Sequence, residues 1–420
     1  MRPVHPSLRP ELRTYLAALL LGLFAAAVVV AAKDAFEASL FGLRLWLEAV
    51  LPALMPFFAL SEILAAFGVI HFIGVLLEPL MRPLFNIPGA GAFAFAMGLV
   101  SGYPLGAIIT ARLCKDRLCN SVEGERLVAL ANTADPLFMA GVVAAGFFQV
   151  PELGGVLSVA HYLGVLLVGF SGAFHDRGAP ETPPIEATSR EGVLRRALAA
   201  MLKAHRADGR PFGQVLGDAV RSAMHSMLLI GGTIILFSVL LRVLARVGIV
   251  PLLSGAAGWV GQALGLDRSM GEVLVRGLFE ITNGTQSASQ ARGSLVERAA
   301  LASFVIGWSG LAVHTQVAAV VQGTGIRLGP YLRARLLHGV LAAILTVALM
   351  ALGMGPAVGA WAAPAAPAGP VPLWWTFGAL MWRMKTAALL LGLLVVAATA
   401  GAVVRRLVAW GPWIARAGRL

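Results

Sequence analysis

The chain has 420 residues, of which 58% are hydrophobic and only 13% are charged, and its formal net charge is +12 at pH 7. Soluble globular domains carry about 25% charged residues, so this composition excludes an ordinary soluble enzyme. Apolar runs of about 18 or more residues recur along the chain, which predicts a polytopic α-helical membrane protein.

The first elements are a helix and a mixed segment. Three arginines precede the apolar run 15–32, which is longer than the core of a usual signal peptide and therefore predicts a first spanning helix. Residues 35–51 mix charges with bulky apolar side chains, a pattern typical of an amphipathic helix at the membrane interface. Pro52 and Pro56 are expected to bend the chain into the next apolar segment.

Residues 98–148 are apolar enough to lie in lipid, but two polar clusters interrupt them. These clusters are Ser101-Gly102-Tyr103-Pro104 and Asn132-Thr133-Ala134-Asp135-Pro136. Backbone that is not helical is tolerated at membrane depth only where it is buried in protein or faces a water-filled cavity. The segment therefore predicts a binding site.

The middle of the chain contains one stretch of soluble character. After a span at about residues 153–170, the stretch 174–211 begins rich in Pro, Thr, Ser and Glu and then shows helical periodicity with a basic face. We interpret it as a cytoplasmic loop with a basic helix, with a regulatory or partner-binding helix as the alternative. Helices resume at about Phe212 and run past Arg246. The two cysteines, Cys114 and Cys119, are interpreted as incidental thiols.

The second half repeats the pattern of the first. Gly277-Leu278-Phe279 echoes Gly98-Leu99-Val100, and a polar break follows at once in both places. Glu297-Arg298 echoes Glu125-Arg126, and each pair is interpreted as an interfacial charge pair at the start of a second broken helix. Paired, interrupted apolar segments in two halves predict a transporter site at a repeat interface.

The distribution of basic residues predicts the orientation. Both termini and the middle loop are rich in Arg and Lys, whereas the Ala/Pro/Gly linker 354–372 has no charge, so the termini are expected in the cytoplasm and the linker outside. Counting spans then makes the two halves inverted repeats. The predicted division, listed in order, is the N-terminal helix 1–34, the first repeat 35–173, the loop 174–211, the second repeat 212–353, the linker 354–372, and the C-terminal helix with its basic tail 373–420.

The broken segments supply hydroxyl, amide, imidazole and carboxylate groups. The candidate substrate-binding residues are Ser101, Gly102, Tyr103, Pro104, Asn132, Thr133, Asp135, Thr282, Asn283, Gly284, Thr285, Gln286, Ser309, His314 and Gln316. Glu280 and Asp135 are candidates for holding a coupling cation or proton, because ionisable residues inside a membrane are costly. The alternative is that these residues satisfy one another as interhelical hydrogen bonds. We expect no catalytic residue, no resident metal, no cofactor and no nucleic acid partner.

Several of these motifs together resemble a known family. The segments GLVSGYPLGA and ANTADPLF, followed by GLFEITNG, GWSGLAVHTQV and LLHG, resemble the YlbJ/SpoVV family of sporulation integral membrane proteins over about residues 40–350. This resemblance implies nucleoside-recognition Gate domains and a fold similar to that of the concentrative nucleoside transporters. It also implies transfer of dipicolinic acid across the outer forespore membrane.

Other functions remain open at the level of sequence. A nucleoside would also suit the Asn, Gln and Glu side chains, and a scaffold or sensor that transports nothing is a further alternative. Gly307-Trp308-Ser309-Gly310 matches the GxSG motif of intramembrane serine proteases, with His338 as its base, but four residues are a weak signal. The chain contains no GxxxxGK[ST] phosphate-binding motif, so transport must draw on a gradient or on substrate concentration. A homo-oligomer is a further alternative to a single copy.

Overall fold

A computed structural model describes residues 8–183, 192–263 and 265–353 of the chain, and all regular secondary structure within these ranges is helical. The predicted linker 354–372 and the predicted C-terminal helix 373–420 lie outside the described residues. So does part of the predicted middle loop, at 184–191.

The N-terminal helices form two bent pairs. They are α1 (Leu8–Val30), α2 (Ala32–Leu45), the π-helical turn π1 (Trp46–Val50), α3 (Leu51–Ala66) and α4 (Val69–Phe85). The chain bends by 95° between α1 and α2 and by 82° between α3 and α4. Gly68 has a φ of +77° at the second bend. The bends therefore lie beside Ala31 and Gly68, while the backbone remains helical through Pro52 and Pro56, where the sequence predicts a bend.

The predicted breaks of the first half are present. The helices here are α5 (Gly91–Ser101), α6 (Leu105–Lys115), α7 (Ser121–Ala131), the π-helix π2 (Phe138–Phe147) and α8 (Leu153–Gly172). The first gap, at residues 102–104, separates α5 from α6, and the second, after Ala131, separates α7 from π2. Most of α5 and nearly all of α7 are buried, so these short helices lie inside the protein and not on its lipid-facing surface.

The second half shows breaks at the predicted places as well. Its helices are α9 (Val193–Asp208), α10 (Phe212–Arg246), α11 (Ile249–Ala263), α12 (Met270–Phe279), α13 (Ile281–Gln290), α14 (Leu295–Trp308), α15 (Gly310–Val320) and α16 (Leu328–Ala351). Glu280 separates α12 from α13, and Ser309, with a φ of +78°, separates α14 from α15. The basic helix predicted in the middle loop is α9.

Within the described residues, four helical segments are long and apolar enough to cross a membrane, or six if each bent pair counts as one span. The four are Leu153–Gly172, Phe212–Arg246, Leu295–Val320 and Leu328–Ala351. The described part of the chain therefore has the all-helical architecture and the apolar spans of an integral membrane protein.

The repeated Glu-Arg pairs do not form ion pairs between neighbours. Glu125 instead accepts hydrogen bonds from Arg327 Nε (2.7 Å) and from His175 Nε2 (2.7 Å). Glu297 closes a capping box with Ser294 at the start of α14, whereas the capping box of α7 uses Asn120 and Glu123. Glu125 thus lies two positions deeper in its helix than Glu297 does, so the two pairs are not equivalent in structure.

Cys114 and Cys119 are close in space, although they are five residues apart. Cys114 lies in the last turn of α6, and the chain turns back after Lys115, so the two Sγ atoms are 2.7 Å apart. Both thiols are free.

Candidate functional site

The two breaks of the first half pack against each other through glycines. A Cβ atom on Gly98 or on Gly106 would overlap the carbonyl oxygen of Ala131, the last residue of α7. A Cβ on Gly102 would lie 2.8 Å from Asp135 Oδ2. Because only glycine leaves room for these approaches, the residues Gly98 to Gly106 place both breaks side by side.

Local hydrogen bonds hold the second break of the first half. Thr133 Oγ1 donates to Gly98 O (3.2 Å), and Phe138 N donates to Asp135 Oδ1 (3.0 Å), so Asp135 caps the start of the helix that follows. Ala134 N donates to His161 Nε2 of α8 (3.1 Å). The predicted site residues Thr133 and Asp135 therefore contribute to the shape of the break.

The breaks of the second half also adjoin each other. A Cβ on Gly310 would lie 3.0 Å from Phe279 O and 3.1 Å from Glu280 Cα. Trp308 Nε1 donates to Leu278 O (3.2 Å). The break at Glu280 thus lies against the break at Ser309.

Glu280 has a defined structural task at its break. Its carboxylate accepts from Thr282 N (2.9 Å), from Asn283 N (2.8 Å) and from Asn283 Nδ2 (2.9 Å). These bonds satisfy backbone donors that the first turn of a helix leaves without partners. The predicted coupling residue Glu280 is therefore the N-cap of α13.

The two halves meet at a buried group of polar side chains, which we call the central cluster: Tyr103, Asn132, His314, Tyr331 and Arg335. Tyr103 Oη donates to Ile306 O of α14 (3.0 Å), across the halves. Asn132 Nδ2 donates to Tyr331 Oη (2.8 Å), which lies 3.4 Å from His314 Nδ1. Arg335 Nη1 donates to Asn132 O (3.0 Å). Breaks from the first half thus bond directly to α14 and α16 of the second.

Two histidines from different halves lie beside each other, with their rings tilted by 45°. The rings of His161 and His338 lie 4.4 Å apart, and His338 Nε2 donates to His161 O (2.8 Å). The Nε2 atom of His338 is therefore already bonded to α8. Ser309 Oγ is buried without a hydrogen-bond partner among the described residues, so the Ser-His pair that a protease requires is not formed in this structure.

The predicted site residues separate into two groups. Tyr103, Asn132 and His314 belong to the central cluster, and Ser101, Ser309 and Gln316 are buried. By contrast, Thr285 Oγ1 donates to Ile281 O (2.9 Å) of its own helix, and Gly284 packs against Gly277. The remaining predicted residues lie outside the cluster: Gly102 and Pro104 are buried in the first break, Thr282 and Asn283 are half-buried, and Gln286 is exposed.

Asn283 lines a cavity that is separate from the central cluster. A cavity of about 320 Å³ lies between α2, α10 and α12, and its lining includes Asn283, Ser238, Arg242 and Arg276. A volume of this size lies at the lower end of the range for small-molecule sites. The break at Glu280 is therefore reachable from this cavity.

Tyr331 and Arg335 were not predicted as site residues, and His338 was predicted only as the base of a protease. All three lie on α16 at positions i, i+4 and i+7, on one face of an unbroken helix. The available signal was an arginine within an apolar run long enough to span a membrane.

A second polar group lies at one end of α7. Glu125, His175 and Asp176 have ligand atoms within 4.8 Å of one another. Arg327 donates to Glu125 and to Asp176 Oδ2 (2.6 Å), so an arginine already neutralises these oxygens. Burial raises the pKa of the Glu125 carboxyl, but the hydrogen bonds from Arg327 outweigh this effect and hold the pKa below its ordinary value.

Comparison with known proteins gives two matches. Residues 47–145 match the Gate family, described as nucleoside recognition. The chain is 44% identical over 328 residues to the sporulation integral membrane protein YlbJ of Bacillus subtilis (strain 168), and this covers 78% of the chain and 80% of that protein. No solved structure matches the chain.

Proposed function

The chain belongs to the YlbJ family of sporulation integral membrane proteins, and on that premise we propose that it is a transporter that moves a small polar or anionic metabolite through the central cluster. We propose dipicolinic acid as this solute, carried across the outer forespore membrane during sporulation, as the resemblance to the YlbJ/SpoVV family implies. In this proposal the protein is not an enzyme.

The observation that supports this proposal is the contact between broken helices of the two halves. Asn132, at the second break of the first half, bonds to Tyr331 and to Arg335 on α16. Transporters place their solutes near the membrane midplane, where interrupted helices of two repeats meet. A scaffold has no need for broken helices around buried polar groups, because each such group costs free energy when its partners are incomplete.

We further propose that the two halves are inverted repeats, similar to those of concentrative nucleoside transporters, with both termini in the cytoplasm. Single cysteines introduced at Ser189 and Leu420 should react only with a reagent on the cytoplasmic side. A cysteine at Ala366 should react only from the other side. Labelling of Ala366 from the cytoplasm would contradict the inverted arrangement.

The transport proposal is tested with the full chain in proteoliposomes, comparing uptake of dipicolinate with uptake of uridine. We expect dipicolinate uptake, and we expect Asn132→Ala to reduce it about tenfold, the effect of one lost hydrogen bond. Gln290→Ala is the control, because Gln290 is exposed at the end of α13 and is not a candidate site residue. Uptake of neither solute would refute the proposal.

A nucleoside is the second candidate solute, because the Gate family that matches residues 47–145 is described as nucleoside recognition. Uptake of uridine in preference to dipicolinate, with the same loss in Asn132→Ala, would select this candidate.

A further inference from the structure

Arg335 is the largest of the wholly buried side chains in the described part of the chain, with 0% of its surface exposed. Its Nη1 donates to Asn132 O (3.0 Å), but Nε and Nη2 are buried without a hydrogen-bond partner. Among the described residues, no carboxylate lies within ion-pair distance of this guanidinium. A group that is always charged and has five N–H donors is therefore left with most of its bonding capacity unused.

The magnitudes show that the protein alone does not compensate for this burial. Burying an ion is costly even after relaxation of its surroundings. The compensation that is present comes from the C-terminal end of α7, where Asn132 is the C-cap, and the attraction of a helix end for a cation is smaller than this cost. A structural role as a cap for α7 therefore does not account for the buried charge.

The geometry of the unused donors indicates what would pair with them. Nε and Nη2 form one edge of the planar guanidinium, and their two N–H bonds are parallel. A carboxylate accepts both bonds at once, which is the strongest and most specific pairing that arginine makes. The edge left without a partner in Arg335 is thus the edge that a carboxylate would occupy.

The neighbours of Arg335 also favour an anion. Tyr331 lies one helical turn before Arg335, both residues bond to Asn132, and the Tyr331 hydroxyl lies 3.4 Å from His314 Nδ1. His314 Nε2 is buried without a partner among the described residues. The Tyr331 hydroxyl, which accepts from Asn132, and an imidazole N–H of His314 are further donors to an oxyanion, so the surroundings of the guanidinium can complete its coordination.

We propose that Arg335 is the specificity-determining residue of the central cluster, and that it binds a carboxylate of the transported solute through Nε and Nη2. This inference rests on the proposed transport function. The site therefore selects carboxylate-bearing solutes over neutral solutes of the same shape.

The test measures binding to the purified full chain with four probes of graded charge. Pyridine-2,6-dicarboxylate carries two carboxylates, picolinate carries one, and pyridine-2,6-dicarboxamide and uridine are neutral. The variants are Arg335→Met, which removes the charge at similar length, and Arg335→Lys, which keeps the charge but loses the planar fork. Arg333→Met is the matched control, because Arg333 is exposed on the same helix.

We expect the wild type to prefer the dicarboxylate over the dicarboxamide by about 100-fold, as fits the loss of a charged, bidentate contact. Arg335→Met should abolish that preference, Arg335→Lys should reduce it about tenfold, and Arg333→Met should leave it unchanged. Arg335→Met should remain folded, because an apolar side chain of similar size often replaces a buried charge without loss of stability.

Two outcomes would overturn the inference while leaving transport intact. One is equal binding of the dicarboxylate and the dicarboxamide by the wild type. The other is that Arg335→Met prefers the dicarboxylate over the dicarboxamide as strongly as the wild type does. If Arg335→Met does not fold, the same result in Arg335→Lys would overturn the inference. Binding of none of the four probes by the folded wild type would instead refute the proposed function on which the inference rests.

Discussion

Glu280→Gln is the substitution that separates the capping role of Glu280 from a role in ion coupling. The Glu280 carboxylate accepts three hydrogen bonds at 2.8–2.9 Å with its two oxygens. Glutamine has a single side-chain oxygen, and its NH₂ group would face an N–H of Thr282 or Asn283. The amide therefore loses at least one bond and places two donors against each other.

The magnitude follows from these bonds. A hydrogen bond to a charged group contributes about 1.5–3 kcal/mol, and Glu280 is only half-buried, so we take about 2 kcal/mol for the loss. A change of 1 kcal/mol shifts the unfolding midpoint by about 2–4 °C in domains of 150–250 residues, so a loss of about 2 kcal/mol corresponds to a fall of about 4–8 °C. The assay is thermal unfolding of the detergent-purified protein, followed by the fraction that remains monodisperse.

Glu272→Gln provides the matched control for this measurement. Glu272 is exposed on α12 and forms an i, i+4 pair with Arg276 (2.7 Å), which contributes at most about 0.5 kcal/mol. If Glu280→Gln melted at the same temperature as Glu272→Gln, the capping argument would be wrong. An unchanged midpoint combined with lost accumulation of solute would restore Glu280 as a coupling residue.

Two further predictions concern the first half. Gly106→Ala should destabilise the fold by about 1–3 kcal/mol, because the added Cβ overlaps the Ala131 carbonyl. Gly172→Ala is the control and should be tolerated, because its Cβ meets no atom within 4 Å. Equal yields and unfolding midpoints for both variants would contradict the close packing of the breaks. Glu125→Gln should make the free energy of unfolding less dependent on pH in the acid range. The pKa of Glu125 in the folded protein lies below its unfolded value of about 4.3. Its contribution to stability is therefore present above that pH and is lost as the pH falls through the folded pKa. Parallel acid limbs in wild type and variant would show that the pair with Arg327 contributes nothing to this dependence.

The positions of the four breaks could be predicted from sequence because their residues are close together in the chain. Helix-breaking residues interrupt the apolar runs at these places. They include Gly102 and Pro104 at the first break, and Asn132 and Asp135 at the second. The structure has its breaks at those places. A local cluster of helix-breaking residues acts on the backbone beside it, so its effect does not depend on the rest of the fold.

The residues that form the site are brought together by packing between distant helices, so they were harder to predict from the sequence. Tyr331, Arg335 and His338 are separated by whole helical turns on an unbroken helix, so no local interruption marks them. Gln286 has the chemistry of a site residue but is exposed. Its neighbour Thr285 is wholly buried, yet its hydroxyl bonds within its own helix.

The length of α10 has a mechanical consequence. Its 35 residues form a rod of about 52 Å, at about 1.5 Å per residue, whereas the hydrocarbon core is about 30 Å thick. Its second turn is tied by Arg210, which bonds both to Asp208 at the end of α9 (2.7 Å) and to Asp218 (3.0 Å). A tilt of about 10° over that length would displace one end by about 9 Å relative to the other. Because Arg210 joins the start of α10 to the end of α9, a small rotation of this rod would displace α9 by a much larger distance.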